Sequence, residues 1–131
     1  MIKYRSIKKY KYQLLEPCAV KAGIFPKDGV ITDFITLSVN GWLIICKGYA
    51  WDGPSGPTWD SQNFMRGSLI HDALYQLIRD GFLNYKCKRQ ADNMLKQICL
   101  EDGMSKFRAW YVHKAVQAFG RFAIKPLWGW R

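Results

Sequence analysis

From Tyr10 to Ala50 the pattern of apolar and polar residues is that of strands and turns, and after a short interruption the apolar residues recur with a helical period. Alternation over short runs predicts β-strands, which fall at residues 12–15, 18–20, 30–32, 34–39 and 42–46. Asn40-Gly41 between the last two runs indicates a hairpin, because both residue types tolerate the positive φ angles of a tight turn. We therefore predict a small antiparallel β-sheet at the amino terminus.

Residues 51–62 follow neither pattern. This segment is rich in glycine and proline, which disrupt the interior of a helix or a regular strand. We expect a shaped loop here, between the strands and the helical part of the chain.

Three helices are predicted after the loop. Their apolar stripes cover residues 64–78, 88–101 and 106–125. Gly81 and Gly103 follow the first two stripes and predict where those helices end, while Ser105 is a plausible N-cap for the third. The pattern predicts an α+β protein with a small N-terminal antiparallel sheet, a glycine-rich loop and three C-terminal α-helices.

Length and composition favour one domain. The chain has 131 residues and 49% hydrophobic content, enough for one core. We divide the domain into a β-rich part (1–50), a loop (51–62), a helical part (63–125) and a tryptophan-rich tail (126–131). No signal peptide is recognised, and no stretch approaches the roughly 20 apolar residues of a membrane-spanning helix. We expect a cytoplasmic protein with reduced cysteines, since its four cysteines show no CxxC pair or zinc-site spacing.

The charge balance indicates an anionic partner. Twenty basic and 10 acidic residues give a net charge of +10. Basic and aromatic residues are interleaved near Trp110 and again at Trp128, Trp130 and Arg131, which suits an anionic lipid surface or an acidic protein. Nucleic acid is less favoured, because no RNA- or DNA-reading motif is present. In an alternative interpretation the third helix covers the other two and the tail tryptophans are buried.

A polar stripe on the first predicted helix is a candidate chemical centre. Four residues follow the spacing i, i+3, i+4 and i+7 on one face, opposite the apolar stripe: Ser68, His71, Asp72 and Tyr75. Histidine is a base near neutral pH, and an adjacent carboxylate can bind a cation. If the first two helices pack antiparallel, Asp92 can face His71 and hydrogen-bond its far ring nitrogen. The stripe can alternatively be a hydrogen-bond network that serves only the fold.

The loop before this helix adds a candidate cation site. Asp52 and Gly53 precede the helix, and backbone carbonyls of such a loop can bind a hard cation together with the Asp72 carboxylate. The alternative is a structural turn packed by Trp51 and Trp59.

These residues resemble the site of the secreted phospholipases A2, especially their short prokaryotic forms. The matching motifs are Asp52-Gly53-x-Ser55, Ser68-x-x-His71-Asp72-x-x-Tyr75 and Arg89-x-x-Asp92. The resemblance implies that His71 is the base, with Asp92 as its partner and Tyr75 as a supporting hydrogen bonder. It also implies calcium bound by Asp72 together with the Asp52-Gly53 segment.

That resemblance departs from the family at one disulfide and leaves the N-terminal sheet unmatched. The prokaryotic phospholipases have paired cysteines where this chain has Pro54 and Ser68. The whole chain resembles small bacteriophage and prophage proteins that have a WDG-x-S loop, an SL-x-HD-x-LY helix and a later Ala-Asp pair. Here the motifs are residues 51–55, residues 68–75 and Ala91-Asp92. This second resemblance implies a phage protein in the host-cell cytoplasm or on the virion.

Two hypotheses follow from the sequence. The first is a phage-encoded, calcium-dependent ester or lipid hydrolase with a phospholipase-A2-like His–Asp centre. The second is a non-enzymatic phage accessory or virion protein that binds a host or phage partner through its basic aromatic surface.

Overall fold

The computed structural model describes residues 2–7, 12–53 and 62–124. Within these residues the strands are β1 (Tyr4–Ser6), β2 (Tyr12–Leu14), β3 (Cys18–Lys21), β4 (Val30–Ile31), β5 (Ile35–Leu37), β6 (Trp42–Ile45) and β7 (Ala50–Trp51). The α-helices are α1 (Gln62–Arg79), α2 (Lys88–Glu101), α3 (Lys106–Phe119) and α4 (Arg121–Ile124), with a 3-10 helix at Tyr85–Cys87. This order confirms the predicted α+β class.

The predicted antiparallel sheet is present and is divided into two. One sheet has the order β1-β2-β7 and the other β3-β6-β5-β4. The predicted hairpin joins β5 to β6, pairing Ile35 with Ile45 and Leu37 with Leu43, and Gly41 in its turn has a φ of +85°. All four of these paired side chains are buried, so alternate residues of each strand face the core.

The start of the predicted loop belongs to a strand. β7 contains Trp51, and it pairs with β2 rather than with β6, so that Tyr12 lies opposite Trp51. Tyr4, Tyr12 and Trp51 form a cluster of rings with centroids 5.3 to 6.1 Å apart. Packing of these rings explains why the strand continues into a segment whose composition predicts a loop.

α1 is buried on nearly every side. The main hydrophobic core joins side chains from both sheets, such as Leu14 and Leu43, to others from α1 and α2, such as Leu74 and Ile98. The stripe predicted to lie opposite the apolar face is itself covered, and its histidine, serine and tyrosine are buried. On this side α2 brings Asp92 against His71 and Tyr75, and Gly120 lies against the Tyr75 hydroxyl.

α1 and α2 pack antiparallel, which is the condition under which Asp92 was expected to face His71. Near the start of α1, Arg66 donates hydrogen bonds of 3.0 and 3.1 Å to Asp102 and one of 2.9 Å to Glu101, at the far end of α2. The helices approach closely at Gly67, where a Cβ would lie 2.8 Å from the sulfur of Cys99. Within the described residues, no helix has both the length and the apolar character needed to cross a lipid bilayer.

The third predicted helix is interrupted at Gly120. Ser105 caps α3 as predicted, its hydroxyl accepting the backbone N–H of Arg108 at 3.2 Å. Beyond α3 the backbone tightens, since the N–H of Ala123 bonds to the Gly120 carbonyl three residues back at 3.0 Å. Glycine weakens a helix at this point. Residue 125, the predicted end of the helix, lies outside the described residues, as does the tail at 126–131.

Candidate active site

Asp92 lies at the centre of a buried hydrogen-bond network. Its Oδ1 accepts hydrogen bonds from Nε2 of His71 at 2.8 Å and from the hydroxyl of Tyr75 at 2.5 Å, while its Oδ2 accepts one from Nζ of Lys88 at 2.7 Å. The Asp92 residue is only 1% exposed. Three donors, one of them an ammonium group, compensate a carboxylate that would be unstable at this depth without partners.

Helical spacing on two facing helices brings these groups together. His71 and Tyr75 are four residues apart on α1, so their rings lie one above the other, with centroids 4.0 Å apart. Lys88 and Asp92 have the same spacing on α2 and form an ion pair. Because the helices are antiparallel, the two pairs meet, and the predicted hydrogen bond between His71 and Asp92 is present, with Nε2 donating to the carboxylate.

The partners of Asp92 indicate which groups donate and which accept, since one is an ammonium group and another a phenol hydroxyl. Burial alone would raise this pKa, but hydrogen bonds from His71, Lys88 and Tyr75 outweigh burial and lower it below its ordinary value. Asp92 is therefore ionised and can only accept. The neutral ring of His71 must then carry its hydrogen on Nε2, which leaves a lone pair on Nδ1. Burial and the nearby Asp92 raise the pKa of Tyr75, which stays a neutral donor.

The second carboxylate near His71 belongs to Asp72. Oδ1 of Asp72 is 3.8 Å from Nδ1 of His71, which is longer than a hydrogen bond. Burial lowers the pKa of His71, but the carboxylates of Asp72 and Asp92 outweigh burial and raise it. The Asp72 side chain is 35% exposed, and partial burial raises its pKa, with a further increase from Asp52. The free ring nitrogen thus faces a partly exposed carboxylate.

His71 and Asp72 line a cleft of about 500 Å³ between α1 and α3. The remaining lining is largely apolar and includes Phe64, Val116 and Phe119. This volume is within the usual range for small-molecule sites, about 300–1,000 Å³, and such sites combine apolar walls with a few polar groups. The arrangement therefore places a base beside a space that suits an apolar substrate.

A smaller, more polar cleft of about 270 Å³ adjoins the first and contains the predicted cation-binding residues. It is lined by Asp52, Gly53 and Asp72, and also by Tyr75 and Arg79. Asp52 and Asp72 provide two carboxylates, a donor set that suits a hard cation. The described part of the chain holds no group of three or more His, Cys, Asp and Glu side chains that could bind a metal. Residues 54–61, including Ser55 of the motif and Trp59, lie outside the described residues.

Ser68 connects the start of the loop to α1. Its hydroxyl accepts a hydrogen bond from Nε1 of Trp51 at 3.1 Å and donates one to the carbonyl of Met65 at 2.9 Å. This buried contact lies at a position where the phospholipase resemblance implies half of a disulfide. The four cysteines all lie within the described residues and are free, as predicted.

Among the residues predicted for the partner surface, Trp110 is half exposed and lines the larger cleft. Trp128, Trp130 and Arg131 lie outside the described residues. Lys88 was not among the predicted site residues, although its i,i+4 spacing to Asp92 was a usable signal.

The Lys88 ammonium also donates to the Val116 carbonyl at 3.1 Å, so it connects Asp92 to the end of α3. Lys88 thus connects Asp92, the hydrogen-bond partner of His71, with α3, which lines the cleft.

Comparison with models of protein families, with curated proteins and with solved structures found no match to this chain.

Proposed function

We propose that this protein is a phage-encoded ester hydrolase in which His71 activates a water molecule. One observation carries the proposal: Asp92 holds Nε2 of a buried histidine that lines an apolar cleft, so that Nδ1 is left as the basic nitrogen. A base held in one orientation beside a substrate-sized space is the minimum that general-base hydrolysis requires.

The reaction would proceed by water attack. Nδ1 of His71 takes a proton from water while the water oxygen bonds to the ester carbonyl carbon, giving a tetrahedral intermediate. That intermediate collapses to the acid, and the departing alcohol oxygen receives the proton from the imidazolium ring. Asp92 stabilises the transient positive charge on the ring through its hydrogen bond to Nε2.

The walls of the larger cleft favour a lipid ester as substrate. Phe64, Leu95, Val116 and Phe119 give it an apolar lining, which favours a hydrocarbon chain over a charged group. His71 and Asp72 are among its few polar residues. An acyl chain along this lining would bring its ester group to the histidine.

Calcium is the cofactor that we propose for the adjoining polar cleft. The carboxylates of Asp52 and Asp72, with the backbone at Gly53, would hold it. When bound, a calcium ion supplies stabilisation for the negative charge that develops on the carbonyl oxygen. Both carboxylates line this cleft, and their combined negative charge favours a cation there.

Hydrolysis of a short-chain nitrophenyl ester and of a phospholipid in detergent micelles tests the proposal, with calcium and with a chelator. We expect activity with calcium, a decrease in Asp72→Asn and a loss in His71→Gln, whose retained fold is checked by circular dichroism. His113→Gln is the matched control, because the second histidine instead contacts Asn93 at 3.0 Å on the surface. The hydrolase proposal is wrong if the purified protein hydrolyses neither ester, or if His71→Gln is as active as wild type. If the chelator and Asp72→Asn leave the rate unchanged, the calcium assignment alone is wrong.

A non-enzymatic phage accessory or virion protein is the second candidate. Asp92 supports this candidate, because it accepts three hydrogen bonds, and such a network around one buried carboxylate can stabilise a fold without any catalysis. In that case His71→Gln lowers the melting temperature and no ester is hydrolysed by the wild type. For either function we propose a location in the host-cell cytoplasm or on the virion.

A further inference from the structure

α3 and α4 expose four large aromatic side chains. Within the described residues of α3, Ala109 and Val112 alone are fully buried. The exposed aromatic residues, here called the aromatic face, are between 50% and 75% exposed and comprise Phe107, Trp110, Phe119 and Phe122. The rings of Phe107 and Trp110 lie near each other, with centroids 6.2 Å apart. Two pairs of exposed rings, one at the start of α3 and one at its end and in α4, expose more apolar surface than the single apolar residues scattered over an ordinary surface.

Cations are interleaved with these rings, and acidic residues are absent from this stretch of the sequence. Residues 104–124 contain no Asp or Glu, whereas Lys106, Lys114 and Arg121 are all exposed. The guanidinium carbon of Arg121 lies 5.0 Å from the ring centroid of Phe122. The segment is thus complementary to a surface that is both anionic and apolar.

The aromatic face also borders the cleft that contains His71. Trp110 and Phe119 belong to both, since each is at least half exposed and each lines the cleft. Lys114 lines the cleft as well and places a cation beside them. Two of the four exposed rings therefore line an apolar space.

We propose that the aromatic face docks on an anionic phospholipid membrane, so that the cleft opens toward the lipid. Aromatic rings insert at the level of the headgroups, and neighbouring cations bind lipid phosphates. A nucleic acid could contact the same cations and rings, but it would leave the adjoining apolar cleft without a ligand. Binding of a lipid ester in the cleft rests on the proposed function, whereas membrane docking itself requires no catalysis.

Sedimentation with vesicles tests this proposal on the full chain. Vesicles of phosphatidylglycerol and phosphatidylcholine in equal amounts are compared with vesicles of phosphatidylcholine alone. We expect the mixed vesicles to bind the protein, with an affinity that falls as salt is added. Lys106→Glu with Arg121→Glu should weaken this binding by at least about tenfold. Phe107→Ser with Phe122→Ser should also weaken it, and none of these four residues lines the cleft.

The matched control is Lys27→Glu with Ile31→Ser, a pair of exposed residues outside the helices. The proposal is overturned if the mixed vesicles fail to bind the wild type, or if the aromatic-face variants bind as tightly as this control. It is also overturned if a single-stranded oligonucleotide binds while the vesicles do not. His71→Gln should bind the vesicles as wild type does, so loss of hydrolysis and loss of docking are separate results.

Discussion

Gly120 lies directly against the hydroxyl group of Tyr75. A Cβ at this position would overlap the hydroxyl oxygen and would lie 2.5 Å from the carbonyl oxygen of Val116. The same hydroxyl donates to Asp92 at 2.5 Å. Absence of a side chain at residue 120 therefore lets the end of α3 approach the tyrosine without displacing it from the carboxylate.

Gly120→Ala should destabilise the protein by about 1–3 kcal/mol, because a methyl group must displace the Tyr75 ring or the helix end. Tyr75→Phe removes the displaced oxygen and one hydrogen bond, and should lower the stability by about 1 kcal/mol. The double variant should lose less than the sum, as measured by urea denaturation. Gln117→Ala, an exposed change on the same helix, is the control. Strict additivity would contradict the close approach of these two residues.

Asp92→Ala should be the most destabilising change in the network. It leaves His71, Tyr75 and Lys88 without their shared acceptor in a buried site, and removal of one partner of a buried ion pair typically costs about 3–5 kcal/mol. Asp28→Ala, at an exposed carboxylate, should change stability by less than about 0.5 kcal/mol. Denaturant unfolding of both variants measures the difference, and a loss in Asp92→Ala no larger than in Asp28→Ala would refute the network's contribution.

Acid should weaken the fold partly through Asp92. Its pKa in the folded protein is lower than the ordinary value of 3.8, so the unfolded chain takes up a proton first as the pH falls. Its stabilising contribution is therefore fully present above that value and is lost as the pH falls through the folded pKa.

Urea unfolding at a series of acidic pH values should show a steeper loss of stability in wild type than in Asp92→Asn. If the free energy of unfolding falls equally steeply with pH in the two proteins, other carboxylates cause the acid sensitivity.

Lys88→Met should destabilise by about 3 kcal/mol, because it leaves Asp92 with no cation other than a protonated His71. The change also removes the donor to the Val116 carbonyl, so α3 should loosen against α2. Lys86→Met is the control, since that side chain is exposed two residues earlier. Unfolding measures the first effect, and amide hydrogen exchange near residue 116 measures the second. Unchanged exchange in α3 would rule out a connecting role for this lysine.

Local signals were sufficient to predict the limits of α1 and α2. Gly81 and Gly103 follow these helices with φ angles of +88° and +95°, a conformation that depends on the residue itself. The pairing of His71 with Asp92 was also predictable, because a short connection makes neighbouring helices antiparallel and the spacing then places the two residues opposite each other.

Features that depend on distant contacts could not be predicted in this way. The close approach of Gly120 to Tyr75 is one such feature, because these residues are far apart in the sequence. A helical period identifies the faces of α1 but not the elements that pack on them, so the burial of His71 became evident only with α2 in place. The division into two sheets likewise depends on the pairing of β7 with β2.

The charged residues of α2 also favour one alignment of this helix along α1 over the neighbouring alignments. A slide of one turn along α2, about 5.4 Å, would replace Asp92 opposite His71 with a residue four positions away. Those residues are Lys88 in one direction and Lys96 in the other, so either slip would place an ammonium group against the buried ring of His71. Either slip would also separate Arg66 from Asp102. The arrangement of charges on α2 thus disfavours both neighbouring alignments relative to the one in which the carboxylate meets the histidine.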